Sequence, residues 1–122
     1  MKQKIIICGA GRVSLSITEH LSNEGFDITV IDSNLEAIQK VTELYDVQGV
    51  LGLASYPNIL EDAGIKDADM IIAVTQSDEI NIAACQAAKS IFSTPTMIIR
   101  IRSKEYLDPK YSDFLLKSIG VN

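Results

Sequence analysis

The chain is 122 residues long, 47% apolar and 22% charged, which suits a single domain with a packed core and argues against disorder. Its 16 acidic residues against 11 basic ones give a net charge of -5, the wrong sign for tracking the phosphates of DNA or RNA, so no nucleic acid partner is expected. The apolar run from Ile5 to Cys8 is far shorter than the roughly 20 residues that span a bilayer and follows too short a leader for a secretory signal. The chain is therefore expected to be cytoplasmic, with no direct membrane insertion.

In chain order, residues 4–8 form a β-branched run without polar alternation, the pattern of a parallel strand covered on both faces. A glycine turn follows, and residues 13–23 read as a helix. Val13, Ile17 and Leu21 share one face of it, and Gly25 stops it. Residues 28–31 read as a second strand. Residues 35–44 read as a helix with Leu35, Ile38, Val41 and Leu44 as its apolar positions, and residues 47–51 as a third strand. After the turn Gly52-Leu53-Ala54-Ser55, Pro57 suits a first helical turn, and residues 59–63 make a short helix ended by Gly64. Residues 70–74 read as a fourth strand, 78–92 as a long helix, 97–101 as a fifth strand and 104–118 as a last helix partly broken by Pro109.

This alternation implies an α/β fold, a Rossmann-like doubly wound parallel sheet in a single domain, because right-handed crossovers place helices on both faces. A sixth strand belongs to the full dinucleotide-binding order, and none is found before the sequence stops. The expectation is an N-terminal piece of a longer chain. Cys8 and Cys85 lie in apolar stretches without CxxC spacing and read as buried, reduced thiols.

The chemistry gathers where strands end. Gly9-Ala10-Gly11 sits between the first strand and the first helix. There Gly9 permits the tight turn, and Gly11, lacking Cβ, lets a pyrophosphate approach the backbone and the helix amides. Ser14 stands where Gly or Ala closes the fingerprint, and a slight shift, or a hydroxyl bonded back to a main-chain carbonyl, is expected. Asp32, at the end of the second strand, suits hydrogen bonds from adenosine ribose hydroxyls, and a helix-capping role is compatible with that one. Its charge opposes a 2'-phosphate by about 1 kcal/mol at ~4 Å in water and about 4 kcal/mol at an effective dielectric of 20, which favours NAD or a plain adenosine nucleotide over NADP.

Arg12 is placed to extend over phosphates or to sit in solvent, and Arg100, near the end of the fifth strand, is the stronger candidate. Arg102 shares its parity but is expected past the sheet edge. The loops Gly52-Leu53-Ala54-Ser55 and Val74-Thr75-Gln76-Ser77 leave strands three and four, line the same crevice and leave room for an adenine ring. His20, the single histidine, reads as a surface residue with no acidic partner at a telling spacing. With no nucleophile, acid-base pair or metal-ligand cluster in view, the site reads as a sensor rather than an enzyme.

Taken together, the run from Ile5 to Val13, Asp32, the stretch from Glu61 to Met70, Ala73-Val74-Thr75 with Ser77-Asp78-Glu79 and Asn81, and Ile99-Arg100-Ile101-Arg102-Ser103 resemble one family along nearly the whole chain. It is the N-terminal nucleotide-binding domain of Trk-type potassium uptake regulatory proteins, also called the KTN or RCK domain. The resemblance implies a cytoplasmic regulatory domain that assembles into a homo-oligomeric ring beneath a potassium-translocating membrane subunit, peripheral to the membrane, with nucleotide binding gating transport.

Carried over by position, the NAD or NADH contacts fall on Gly9, Ala10, Gly11, Arg12, Val13, Asp32, Thr75, Gln76 and Arg100, with Leu53 and Ala54 near the adenine. Ser14 and Leu53 depart from the family's usual residues. An arginine like Arg12 occurs in relatives that take ATP or ADP, so those ligands stay open. The cofactor domain of an NAD-dependent oxidoreductase, and a scaffold that no longer binds any nucleotide, are the rival readings.

Overall fold

The computed structural model describes residues 2–119. Five strands form one parallel sheet: β1 (Lys4–Cys8), β2 (Asp27–Asp32), β3 (Gln48–Leu51), β4 (Met70–Ala73) and β5 (Thr96–Ile99), in the order β3-β2-β1-β4-β5. The β1 side chains explain why their sequence shows no alternation. Ile5 and Ile7 enter one apolar cluster with Ile28, Val30 and Ile72, while Ile6 and Cys8 enter a second on the opposite face with Ile31, Ile71 and Ala73. A strand buried on both faces has no polar side to show.

The first face is covered by α1 (Arg12–Asn23) and α2 (Leu35–Leu44), the second by α3 (Pro57–Asp62), a single 3-10 turn at Ile65–Asp67 and α4 (Asp78–Ser90). The third strand lies at one edge of the sheet. From there the chain passes through α3 and the 3-10 turn to β4 on the other side of β1, which reverses the direction of strand addition between β1 and β4. Such a switch point leaves a crevice at the carboxyl ends of the two strands.

The expected last helix is two helices, α5 (Lys104–Leu107) and α6 (Pro109–Ser118). Asp108 accepts from the amide of Lys110 as cap of the second, and Pro109 occupies its first turn, where a missing N–H costs nothing. Proline here starts a helix instead of bending one.

Two helix faces differ from the periodic reading. In α1 the fully buried positions are Ser14 and Thr18, with Leu15, Ile17 and Leu21 partly covered, whereas Val13 is exposed. Small side chains let the helix backbone lie close to the sheet, so the contact face rotates away from Val13 toward the cleft-side turn. In α2, Ile38 and Val41 are buried but Leu35 and Leu44 at its ends are more than half exposed, because the helix overhangs a sheet whose third strand is four residues long. Strands β3, β4 and β5 are also shorter or shifted by one or two residues, so Arg100 lies just past β5 and not within it.

The thiols of Cys8 and Cys85 are free and buried. Burial pushes Cys85 up to about 12, and burial first, with Cys85 second, pushes Cys8 higher still. His20 is on the surface as the sequence suggests, but it does have an acidic neighbour: its Nε2 lies 3.7 Å from Glu24 Oε1, one helical turn on. Among the described residues no helix is long and apolar enough to cross a membrane, and no cluster of three or more His, Cys, Asp or Glu side chains is arranged to hold a metal.

Candidate functional site

The strand ladders continue past the strands and draw their ends together. Gly9 N donates to Ile31 O at 2.7 Å, Val74 N to Cys8 O at 3.0 Å, Gly52 N to Asp32 O at 2.9 Å, and Arg100 N to Ala73 O at 3.0 Å. Above these ends lies a cleft of about 910 Å³. Its lining includes all the residues carried over as nucleotide contacts: Gly9, Ala10, Gly11, Arg12, Val13, Asp32, Leu53, Ala54, Thr75, Gln76 and Arg100. The volume falls in the range of small-molecule sites, about 300–1,000 Å³.

The two glycines of the turn answer to different causes. Gly9 has φ +112°, and a Cβ on it would stand 3.1 Å from Val74 O and 3.2 Å from the Thr75 backbone, so the fold itself requires glycine there. Gly11 has φ -83° and extended backbone, and the nearest atom to a Cβ on it is Gln76 Nε2 at 3.9 Å. Packing within the chain gives no reason for glycine at position 11. A Cβ there would have within 4 Å only the side chain of Gln76, which like Gly11 lines the cleft.

Gly11 also begins α1 without a side-chain cap, and the first amide to find an intrahelical carbonyl is Leu15's, on Gly11 O at 2.8 Å. The amides of Arg12, Val13 and Ser14 precede it, at the positive end of the helix dipole. The Ser14 hydroxyl donates to Gly9 O, as anticipated, and ties the helix to the turn without closing the cleft.

Asp32 clasps two segments. Its Oδ2 accepts from Ala10 N at 2.8 Å and its Oδ1 from Asn34 N at 2.8 Å, which fixes the carboxylate between the glycine turn and the β2–α2 loop. Each oxygen retains acceptor capacity. Asp32 is not the cap of α2: that is Asn34, whose side chain accepts from Ala37 N at 3.1 Å.

Across the cleft, Arg100 Nη2 donates to Thr75 O at 2.9 Å, while its Nε is buried without a partner among the described residues. Arg102 lies past the end of β5, as expected, and from there also lines the cleft. Arg12, Arg100 and Arg102 face the single carboxylate of Asp32, so the lining is formally cationic in a chain of net charge -5. Concave, low-dielectric walls concentrate such a field.

Behind this wall stand two residues to which the pattern reading gave no role. Asn81 is fully buried. It accepts from Thr75 N at 2.9 Å and Thr75 Oγ1 at 2.7 Å, and donates to Thr75 O at 3.2 Å and Arg100 O at 3.0 Å. Asp78 accepts from Arg102 N at 2.9 Å and Ser103 N at 2.7 Å. Their partners are up to 25 positions away, and no local spacing rule reports a contact of that kind.

Comparison with known proteins agrees with this architecture. Residues 5–122 match the family model of the TrkA-N domain. The Trk system potassium uptake protein TrkA of Vibrio alginolyticus is 46% identical over 119 residues, covering 98% of this chain and 26% of that protein. The protein of the same name from Azorhizobium caulinodans is 46% identical over 112 residues, covering 92% of this chain and 24% of that one. The chain thus spans about a quarter of the length of these relatives.

Among solved structures, the TrkA-N domain of the inner membrane protein ybaL from Escherichia coli superposes with TM-score 0.83 at 19% identity, over 100% of this chain and 85% of that one. The GsuK channel bound to NAD superposes at 0.73 with 18% identity, over 97% and 20%. GsuK bound to ADP gives 0.73 with 20% identity, over 100% and 30%. These likenesses share the fold. With one family model running from β1 to the end of the sequence, and relatives nearly half identical over almost all of it, the chain belongs to the TrkA-N domain family.

Proposed function

We propose that this domain is the nucleotide-sensing part of a potassium uptake regulator, binding the adenosine and phosphates of NAD or NADH in the cleft and passing the occupancy on to a potassium-translocating membrane subunit. The observation that carries the reading is Gly11: the chain leaves a Cβ-sized opening toward the cleft that its own packing does not demand, and a pyrophosphate lying against the turn does. Arg100, which lines the cleft with its Nη2 held by Thr75 O, brings a guanidinium suited to a phosphate oxygen. Asp32, held by two amides, is set to accept from ribose hydroxyls and to repel a 2'-phosphate. Leu53 and Ala54 offer the apolar wall for the adenine, and Thr75 and Gln76 the opposite one.

Three arginines around one cleft also favour a second ligand class, ATP or ADP, whose terminal phosphates carry more charge than the bridging pyrophosphate of NAD. The relatives' names carry potassium uptake, and one structural neighbour is a channel solved with NAD and also with ADP. The domain works as a sensor and not as an enzyme. Its cleft offers donors and one carboxylate already engaged with backbone amides, an arrangement that binds charge and moves no protons.

As a cytoplasmic domain in a homo-oligomer beneath its transporter, it regulates only if ligands differ in affinity between two assembly states. A nucleotide that binds both states equally shifts nothing. Calorimetric titration of the chain with NAD, NADH, ATP, ADP and NADPH, repeated on Asp32→Asn, tests the reading. At least one of the first four binds, NADPH binds weakest, and the substitution narrows that discrimination. Absence of binding by all five, or tight NADPH binding that survives the substitution, refutes it.

A further inference from the structure

Residues 100–103 have no regular secondary structure, yet they present two arginines to the cleft. Their position therefore depends on side-chain anchors, and these come from the first turn of α4. One carboxylate, Asp78, takes the consecutive amides of Arg102 and Ser103. Asn81 uses all four hydrogen bonds that a carboxamide can make, three on Thr75 and one on Arg100 O. The Thr75 carbonyl that receives Asn81 Nδ2 also receives Arg100 Nη2, so one atom fixes both the loop and the aim of the guanidinium.

Helix capping does not account for Asp78, because Ser77 Oγ already accepts from Ile80 N at 3.2 Å. A carboxylate only 9% exposed is costly to keep unless its partners matter to the fold or to the site. Neither Asp78 nor Asn81 lines the cleft, whereas Thr75, Arg100 and Arg102 do.

We propose that Asp78 and Asn81 are positioning residues for the anionic half of a bound nucleotide: they hold residues 100–103 against the end of β4, so that Arg100 and Arg102 meet the phosphates in a fixed geometry. The proposal rests on the nucleotide reading above. It divides the cleft into two independently built halves. The ribose half is set by the Asp32 clasp between β1 and β2, and the phosphate-charge half by a bracket between β4 and β5. A merely structural bracket weakens every ligand alike when it is loosened. A positioning bracket weakens ligands in proportion to their phosphates.

The experiment measures dissociation constants of ADP and of adenosine for the 122-residue chain, for Asp78→Asn and for Ser103→Pro. Asp78→Asn leaves one acceptor oxygen for two amides. Ser103→Pro deletes one of those amides at a residue whose φ of -73° already suits proline, and it leaves Asp78 in place. In both variants ADP weakens about tenfold while adenosine stays within about twofold. If Asp78→Asn does not fold, as read by circular dichroism, Ser103→Pro decides.

Equal weakening of both ligands, or no change in either, overturns the bracket's role while leaving the nucleotide reading standing. A parent chain that binds neither ADP nor adenosine overturns both.

Discussion

A Cβ on Gly9 and a Cβ on Gly11 meet different surroundings, and the difference separates what the fold needs from what a ligand needs. Gly9→Ala forces a methyl against Val74 O at 3.1 Å on a backbone with φ +112°, and is expected to lower stability by about 1–3 kcal/mol. Gly11→Ala meets no protein atom closer than 3.9 Å and costs at most about 1 kcal/mol through its weaker preference for the helix start, yet it should abolish measurable nucleotide binding. Urea unfolding and calorimetry on the two variants check this. Loss of binding without loss of stability at Gly9, or retained binding at Gly11, contradicts it. At this scale the turn residues were legible because each follows a strand and opens a helix. The contacts of Asn81 and Asp78, residues named only for the family resemblance, and the clasp of Asp32 on Ala10 were not, because each joins segments far apart in sequence and no periodicity encodes them.

The elements themselves came through the pattern well where hydrophobic runs were bounded by turn residues, as in β1 and α2, whose limits agree with the sequence expectation. Faces were harder. Periodicity places Val13 inside, but Ser14 and Thr18 take the sheet-facing positions because close approach of α1 favours small side chains over apolar ones. Periodicity likewise assigns Leu35 and Leu44 to the core, though a four-residue edge strand cannot cover both ends of a ten-residue helix. The α2 cap follows from the same local chemistry. Asn34 accepts from Ala37 N, so Asn34→Ala should cost about 1 kcal/mol of unfolding free energy, read by urea titration, and leave NAD or ADP affinity within about twofold. An affinity loss as large as that of Asp32→Asn would mean that the cap and the ribose clasp act as one unit.

At the scale of the whole molecule, the sheet's two faces carry two separate apolar clusters, and both thiols lie in the one covered by α4. Cys85 is pushed up from 9.0 to about 12 by burial, so the unfolded chain ionises its thiol at lower pH than the folded one. The stability this contributes is fully present below about pH 9 and is lost as pH rises toward 12. Urea midpoints between pH 8 and 11 should therefore fall less steeply for Cys85→Ala than for the parent chain, and a disulfide reagent at pH 8 should react with the native thiols no faster than the chain unfolds. Identical pH slopes for variant and parent, or fast native labelling, would remove burial as the cause.

The order of the strands has a temporal consequence. Synthesis from the amino end delivers everything the Asp32 clasp requires once Asn34 has emerged, whereas the opposing bracket waits for Ser103. A nascent chain can thus close its ribose wall, with Arg12 already in hand, long before Arg100 and Arg102 exist, and the full cationic lining is among the last features the folding domain acquires.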